Sequence, residues 1–227
     1  MSDCRYEIKF ILDEAGFSKA RSWLYTYTSA RLVHSPRTVN SVYFDDHSYS
    51  ALQDNLAGIS ERRKIRLRWY NDEDREKING IRLEVKHRKG RLGYKDRYAL
   101  PGLERNILDL KYSELFPLLH ARLGGDDVFL VEDYFFPMLQ VSYLREYFEG
   151  LNGISVTFDR PIAFYSPLAH MRPFEGVCVS YPNSIMEIKF APEQKDNVAA
   201  SLRCLNLTPK RHSKYLVGLA TFGLAVY

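Results

Sequence analysis

Arg62, Lys64, Arg66 and Arg68 stand opposite Ile65, Leu67 and Trp69, and no other feature of the 227-residue chain constrains its fold as tightly. Alternate residues of a strand share one face, so this run has a cationic face and an apolar one. The pattern recurs. Arg82, Glu84, Lys86 and Arg88 stand opposite Ile81, Leu83 and Val85, and Lys95 and Arg97 share a face. Arg5, Glu7 and Lys9 stand opposite Tyr6, Ile8, Phe10 and Leu12; Tyr143 pairs in parity with Arg145, and Glu187 with Lys189. Between Glu61 and Arg97 there are 14 Lys and Arg against 7 Asp and Glu, although the whole chain carries only +4.

Period-two alternation predicts eight strands: Arg5 to Leu12, Thr38 to Asp45, Arg62 to Tyr70, Ile81 to Arg88, Gly93 to Leu100, Leu139 to Phe148, Ile154 to Pro161 and Ser184 to Phe190. Helical patterns lie between them, at Asp13 to about Ala30, Ser48 to Asn55, Leu103 to Leu123, Pro192 to Leu205 and His212 to Val226. Asp13 and Ser48 are expected N-caps, and Pro192 suits a first helical turn. Asn79-Gly80 is a hairpin signal between the two most basic strands, and Gly90 and Gly93 bracket a further turn. The expected fold is α+β, an antiparallel β-barrel of about eight strands with flanking helices, in a single domain over residues 1–227.

Solvent faces of ordinary strands mix signs and include Ser, Thr, Asn and Gln, because opposed like charges destabilise a sheet. Long cations recurring on neighbouring strands make physical sense if the charged face turns inward around a polyanion and helices cover the apolar face. Phosphate oxygens give Lys and Arg charge-assisted, often bidentate partners. Three widely spaced cysteines, Cys4, Cys178 and Cys204, fit neither a disulfide framework nor a metal knuckle. They read as reduced thiols of a cytoplasmic protein. The longest apolar run, Leu216 to Val226, is too short to span a bilayer, and charges at Asp3, Arg5, Glu7 and Lys9 interrupt any leader-like stretch. Nucleic acid is disfavoured because Trp69 falls on the face opposite Arg66 and Arg68, whereas stacking platforms keep aromatic and basic groups together.

Arg5-Tyr6-Glu7-Ile8-Lys9, Ser41-Val42-Tyr43-Phe44-Asp45, Lys64-Ile65-Arg66-Leu67-Arg68, Leu83-Glu84-Val85-Lys86, Lys95-Asp96-Arg97, Tyr143-Leu144-Arg145, Met186-Glu187-Ile188-Lys189 and Ser213-Lys214-Tyr215 resemble, in this order, the VTC domain of the triphosphate tunnel superfamily. That resemblance implies a tunnel that binds ATP and polyphosphate, with Lys86, Arg66, Arg68 and Lys95 as the catalytic clamp. It implies further phosphate contacts from Lys9, Lys64, Arg88, Arg97, Tyr143, Arg145, Lys189, Arg211, Ser213 and Lys214. Glu187, with Glu7 and Glu84, is the implied holder of Mn²⁺ or Mg²⁺. Three positions depart from the family pattern. Ser155 replaces a frequent basic residue, Arg211 replaces a Lys, and Arg88 stands where a His is common, with His87 on the other face.

The activity implied is polyphosphate polymerisation from the ATP γ-phosphoryl group. Hydrolysis of tri- or polyphosphate or of nucleoside triphosphate on the same fold, and binding without turnover, are the alternatives. Hydrolases of the superfamily open with Glu-x-Glu-x-Lys, and Arg5 occupies the first Glu position here, which favours holding phosphate over building a two-metal water site. Coupling to transport across a membrane would require a partner outside this chain.

Overall fold

The computed structural model describes residues 5–71, 78–89, 92–123, 136–150 and 153–225. Its nine strands are β1 (Tyr6–Leu12), β2 (Arg31–Asp45), β3 (Glu61–Asn71), β4 (Ile78–Lys89), β5 (Leu92–Ala99), β6 (Phe136–Glu149), β7 (Ser155–Ser166), β8 (Val177–Tyr181) and β9 (Ser184–Phe190). Five α-helices accompany them among the described residues: α1 (Glu14–Tyr27), α2 (Ser50–Leu56), α3 (Tyr112–Leu123), α4 (Lys195–Arg203) and α5 (Lys214–Thr221). The strands form one sheet in the order β1-β9-β7-β6-β2-β3-β4-β5, with β8 added to β7. The fold is thus α+β with an antiparallel sheet, as expected. The ladder has two ends, β1 and β5, and is not a closed hydrogen-bonded ring among the described residues. Both end strands are short and carry charged side chains, devices that discourage further edge pairing.

The chain divides into two compact units. One comprises Met1–Thr38, Tyr143–Ile162 and Ser180–Ser213. Its core joins Phe10 and Leu12 of β1, Phe148 of β6, Val156 and Phe158 of β7 and Met186, Ile188 and Phe190 of β9 to Ala20, Trp23 and Leu24 of α1 and Val198 of α4. The other comprises Val39–Ser142, Ala163–Val179 and Lys214–Tyr227. There Ile65, Leu67 and Trp69 of β3 and Ile81, Leu83 and Val85 of β4 pack with Leu103, Ile107 and Tyr112, Leu115 and Leu119 of the α3 region. Each of these apolar side chains adds roughly 1.5–3 kcal/mol on burial. In each unit, therefore, the helices of this core cover the apolar strand face.

Several boundaries differ from the sequence reading for physical reasons. β2 starts at Arg31, and its residues 31–35 are exposed, so main-chain pairing holds them with no buried alternation to betray it. β8 is missed for the same reason, since Val177 and Cys178 are exposed. Asn79 and Gly80 lie inside β4, where Asn79 pairs with Tyr70 and the register shifts between Arg68 and Tyr70. Gly80, at φ 62°, serves that irregularity; the connection from β3 falls within 72–77, outside the described residues. Gly93 sits in β5 opposite Arg88, and Gly90 lies outside the described residues.

Among the helices, Asp13 caps α1 by accepting from Gly16 N at 2.7 Å, as expected. Ser48 does not cap α2. Tyr49 takes that position in the left-handed region, and the carboxylates of Asp45 and Asp46 accept the helix N–H groups. The helix expected from Leu103 is a single 3₁₀ turn, Leu103–Arg105, and α3 proper begins at Tyr112, where the Glu114 carboxylate accepts from Lys111 N at 2.7 Å. Pro192 opens a 3₁₀ turn that leads into α4. α5 ends before Gly223, at φ 74°. Cys178 and Cys204 are free thiols; Cys4 lies outside the described residues. No helix of the described chain is long and apolar enough to cross a membrane.

Candidate functional site

Register turns the parity argument into geometry. Across β3, β4 and β5 the opposed residues run Arg62–Arg88, Lys64–Lys86–Lys95, Arg66–Glu84–Arg97 and Arg68–Arg82. Opposed residues share a face. One face of three strands thus bears nine cations and one carboxylate.

That carboxylate holds the array together. Glu84 is 1% exposed, and Arg66 donates to its Oε2 through Nε at 2.8 Å and through a terminal nitrogen at 2.5 Å. Arg82 Nε lies 3.0 Å and Arg97 Nε 3.8 Å from Oε1 in ion-pair range, with Arg68 3.7 Å from Oε2. Burial alone would raise the Glu84 pKa; Arg66, Arg68 and Lys95 outweigh it and hold the group at about 2. Glu84, expected as a metal ligand, is found as the shared counter-ion of four guanidinium groups. Arg68 is buried and fixed by Ser41, whose Oγ accepts from its Nε at 3.0 Å. Lys86, Lys95, Arg88 and Arg97 are exposed at the outer part of the same face.

Behind the row lies a polar stack that parity does not reveal. Arg66 donates to the Tyr43 hydroxyl at 3.1 Å. The Tyr43 ring stacks on that of Tyr215, with centroids 5.2 Å apart. Tyr215 donates to Asp45 Oδ2 at 2.7 Å, and Lys64 Nζ sits 5.6 Å from the Tyr215 centroid. Burial would raise the Tyr43 phenol, yet Arg66, Arg68 and Lys214 bring it below its ordinary value. That phenol reports a net positive field. Lys214 is the first residue of α5.

The other unit has a different balance. Lys9 of β1 pairs in register with Glu187 of β9, and Glu7 with Lys189. Thr157 and Ser155 of β7 continue these two rows. Lys9 Nζ lies 2.8 Å from Glu7 and 3.4 Å from Glu187, and Lys189 bridges the same two carboxylates. Burial raises and Lys9, Lys189 and Arg145 lower the Glu187 pKa, leaving it well below the carboxylate range; Lys9 is correspondingly raised against the cost of burial. Arg145 makes a two-pronged pair with Asp159, at 2.5 and 2.8 Å, and its guanidinium lies 5.2 Å from the Tyr143 ring. Three cations here meet three carboxylates.

Arg211 and Ser213 belong to the extended run before α5, which lies beside β1: Lys210 N bonds to Lys9 O at 2.9 Å, and Lys9 Nζ donates to His212 O at 3.3 Å. Ser155 lines a cavity of about 300 Å³ with Arg5, His34, Tyr147 and Glu149. Asp159, Tyr43, Ser41, Arg62 and Arg82 are residues that the sequence reading left out of the site. Of these, Arg62 and Arg82 announced themselves by parity. Among the described residues no group of three or more His, Cys, Asp or Glu side chains is placed to hold a metal ion.

In each unit helices cover the apolar face of the antiparallel sheet, and α5 also meets the charged face, where its Tyr215 stacks on Tyr43 and lies beside Lys64. The VTC domain matches residues 4–223, and the chain belongs to that family. Among solved structures it is similar to the PH1819 protein of Pyrococcus horikoshii OT3, at 14% identity over 96% of this chain and 98% of that one, with a TM-score of 0.52. Weaker likenesses are to a Vibrio parahaemolyticus protein provisionally described as an adenylate cyclase (10% identity, 95% and 97% covered, TM-score 0.49) and to the inorganic triphosphatase NE1496 (13%, 85% and 78%, TM-score 0.29). No curated protein sequence matches the chain.

Proposed function

We propose that this protein transfers the γ-phosphoryl group of ATP to a growing polyphosphate chain. The observation that carries the reading is the face of β3, β4 and β5, where register brings nine cations onto one face around the buried Glu84. An array so rich in cations suits a polyanion, and Lys86, Arg66, Arg68 and Lys95 are the groups we assign to the donor phosphates. Lys64, Arg88, Arg97 and Lys214 extend the contact within that unit; Lys9, Arg145, Lys189, Tyr143, Arg211 and Ser213 are the phosphate-binding groups we assign in the charge-balanced unit.

Phosphoryl transfer proceeds through a loose transition state with charge spread over the peripheral oxygens, so fixed guanidinium groups supply most of what catalysis needs. A terminal phosphate acceptor is already ionised and requires no general base. Polymerisation is favoured over hydrolysis because Glu7, Glu84, Asp159 and Glu187 are each engaged by Lys or Arg. A carboxylate so engaged is poorly placed to activate water.

Glu7 and Glu187 fit a divalent ion of the Mg²⁺ or Mn²⁺ kind in their donor chemistry, hard oxygens from one or two side chains with phosphate completing the set. Such an ion, when bound, neutralises phosphate charge. Glu84 is left as the counter-ion of the basic row.

The test is incubation with ATP and Mn²⁺ followed by separation of products. Long-chain polyphosphate is the expected result, and Lys86→Ala removes it. Free phosphate without polymer would replace the reading by a hydrolase, and unchanged ATP with measurable affinity would reduce the protein to a binding module.

A further inference from the structure

The Tyr43 hydroxyl is used on one side only. It accepts from Arg66 at 3.1 Å, and among the described residues its own proton has no acceptor. The side chain is 8% exposed, and its ring is locked against Tyr215, which Asp45 anchors in turn. A phenol held this way cannot swing to another partner. Nearly buried hydroxyls find acceptors, because an unmade hydrogen bond costs more than a made one gains. Arg66, which donates to this hydroxyl, itself belongs to the cationic row.

We infer that Tyr43 is a phosphate ligand: its hydroxyl accepts from Arg66 and donates to a phosphate oxygen that Arg66 also holds. The inference rests on the phosphate-binding reading of the row and adds a neutral donor to its cations. Three features make the donor a strong one. The guanidinium bond polarises the O–H, the positive field of Arg66, Arg68 and Lys214 favours loss of proton density from it, and the ring stack fixes its direction. A neutral donor also orients without adding repulsion to nine cations.

Tyr43→Phe removes the hydroxyl and keeps the ring stack, so the fold is retained, as an unchanged unfolding temperature without ligand would verify. Isothermal titration with inorganic tripolyphosphate is expected to show roughly tenfold weaker binding in the variant. The slope of log Kd against log salt stays at the wild-type value, because no ion pair is lost; Arg66→Gln lowers that slope by about one. Wild-type affinity in Tyr43→Phe overturns the inference. So does a lowered salt slope in that variant, which would mean that Tyr43 only positions Arg66. Failure of the wild-type protein to bind tripolyphosphate would instead sink the phosphate reading of the row itself.

Discussion

Glu84 shows how far one side chain can set the character of a surface. Its folded pKa of about 2 lies below its ordinary 4.5, so it contributes stability that is complete above the unfolded value and lost as pH falls through the folded one. The size is about 3 kcal/mol at neutral pH. Stability should therefore decline between about pH 5 and pH 2 through this group. Glu84→Gln should lose the same amount at pH 7 and flatten that part of the acid limb, as denaturant titrations at several pH values would record. Because the variant removes the carboxylate that faces Arg66, Arg68, Arg82 and Arg97, tripolyphosphate should raise its unfolding temperature by more than it raises the wild type's. An equal rise in both would show that Glu84 and phosphate do not compete for the same guanidinium groups.

At the scale of elements, α2 depends on its neighbours. Seven residues are too few for a helix to hold by propensity alone. Asp45 supplies the missing support, accepting from Asp46, Ala51 and Leu52 N–H groups at 2.9–3.1 Å and from Tyr215. Asp45→Ala should cost about 2 kcal/mol and Tyr215→Phe about 1 kcal/mol, read from urea midpoints. If Asp45→Ala were neutral, α2 would be held by Ala51 and Leu52 burial alone. The same helix marks the limit of what the sequence discloses. Strand faces were legible because a two-residue period survives in any sheet environment, and the rows of β3, β4 and β5 follow from it residue by residue. Caps and turns were less legible. Ser48 and Asn79-Gly80 carry strong local signals that long-range contacts override, through Asp45 in one case and the pairing of Asn79 with Tyr70 in the other. Tyr43 and Asp159 were invisible as site residues, since each acts through a partner distant in sequence, Arg66 and Arg145 respectively.

For the whole molecule, a net charge of +4 conceals two unlike faces. One has nine cations to a single carboxylate; the other pairs Lys9, Lys189 and Arg145 with Glu7, Glu187 and Asp159. Their chemistry should differ accordingly: the first takes a bare polyanion, whereas the second must exchange internal ion pairs for phosphate and gains most when a divalent ion satisfies Glu7 and Glu187. Hydrogen exchange can separate the two responses, since ligand binding slows opening of the elements that carry the contacts. With tripolyphosphate alone, protection should rise in β3, β4 and β5 with little change in β1 and β9. Adding Mg²⁺ or Mn²⁺ together with tripolyphosphate should extend protection to β1 and β9, and Glu187→Gln should abolish that second increment while leaving the first. Full protection of β1 and β9 without metal would show that Lys9 and Lys189 release their carboxylates for phosphate unaided, and the division of labour between the two faces would fall.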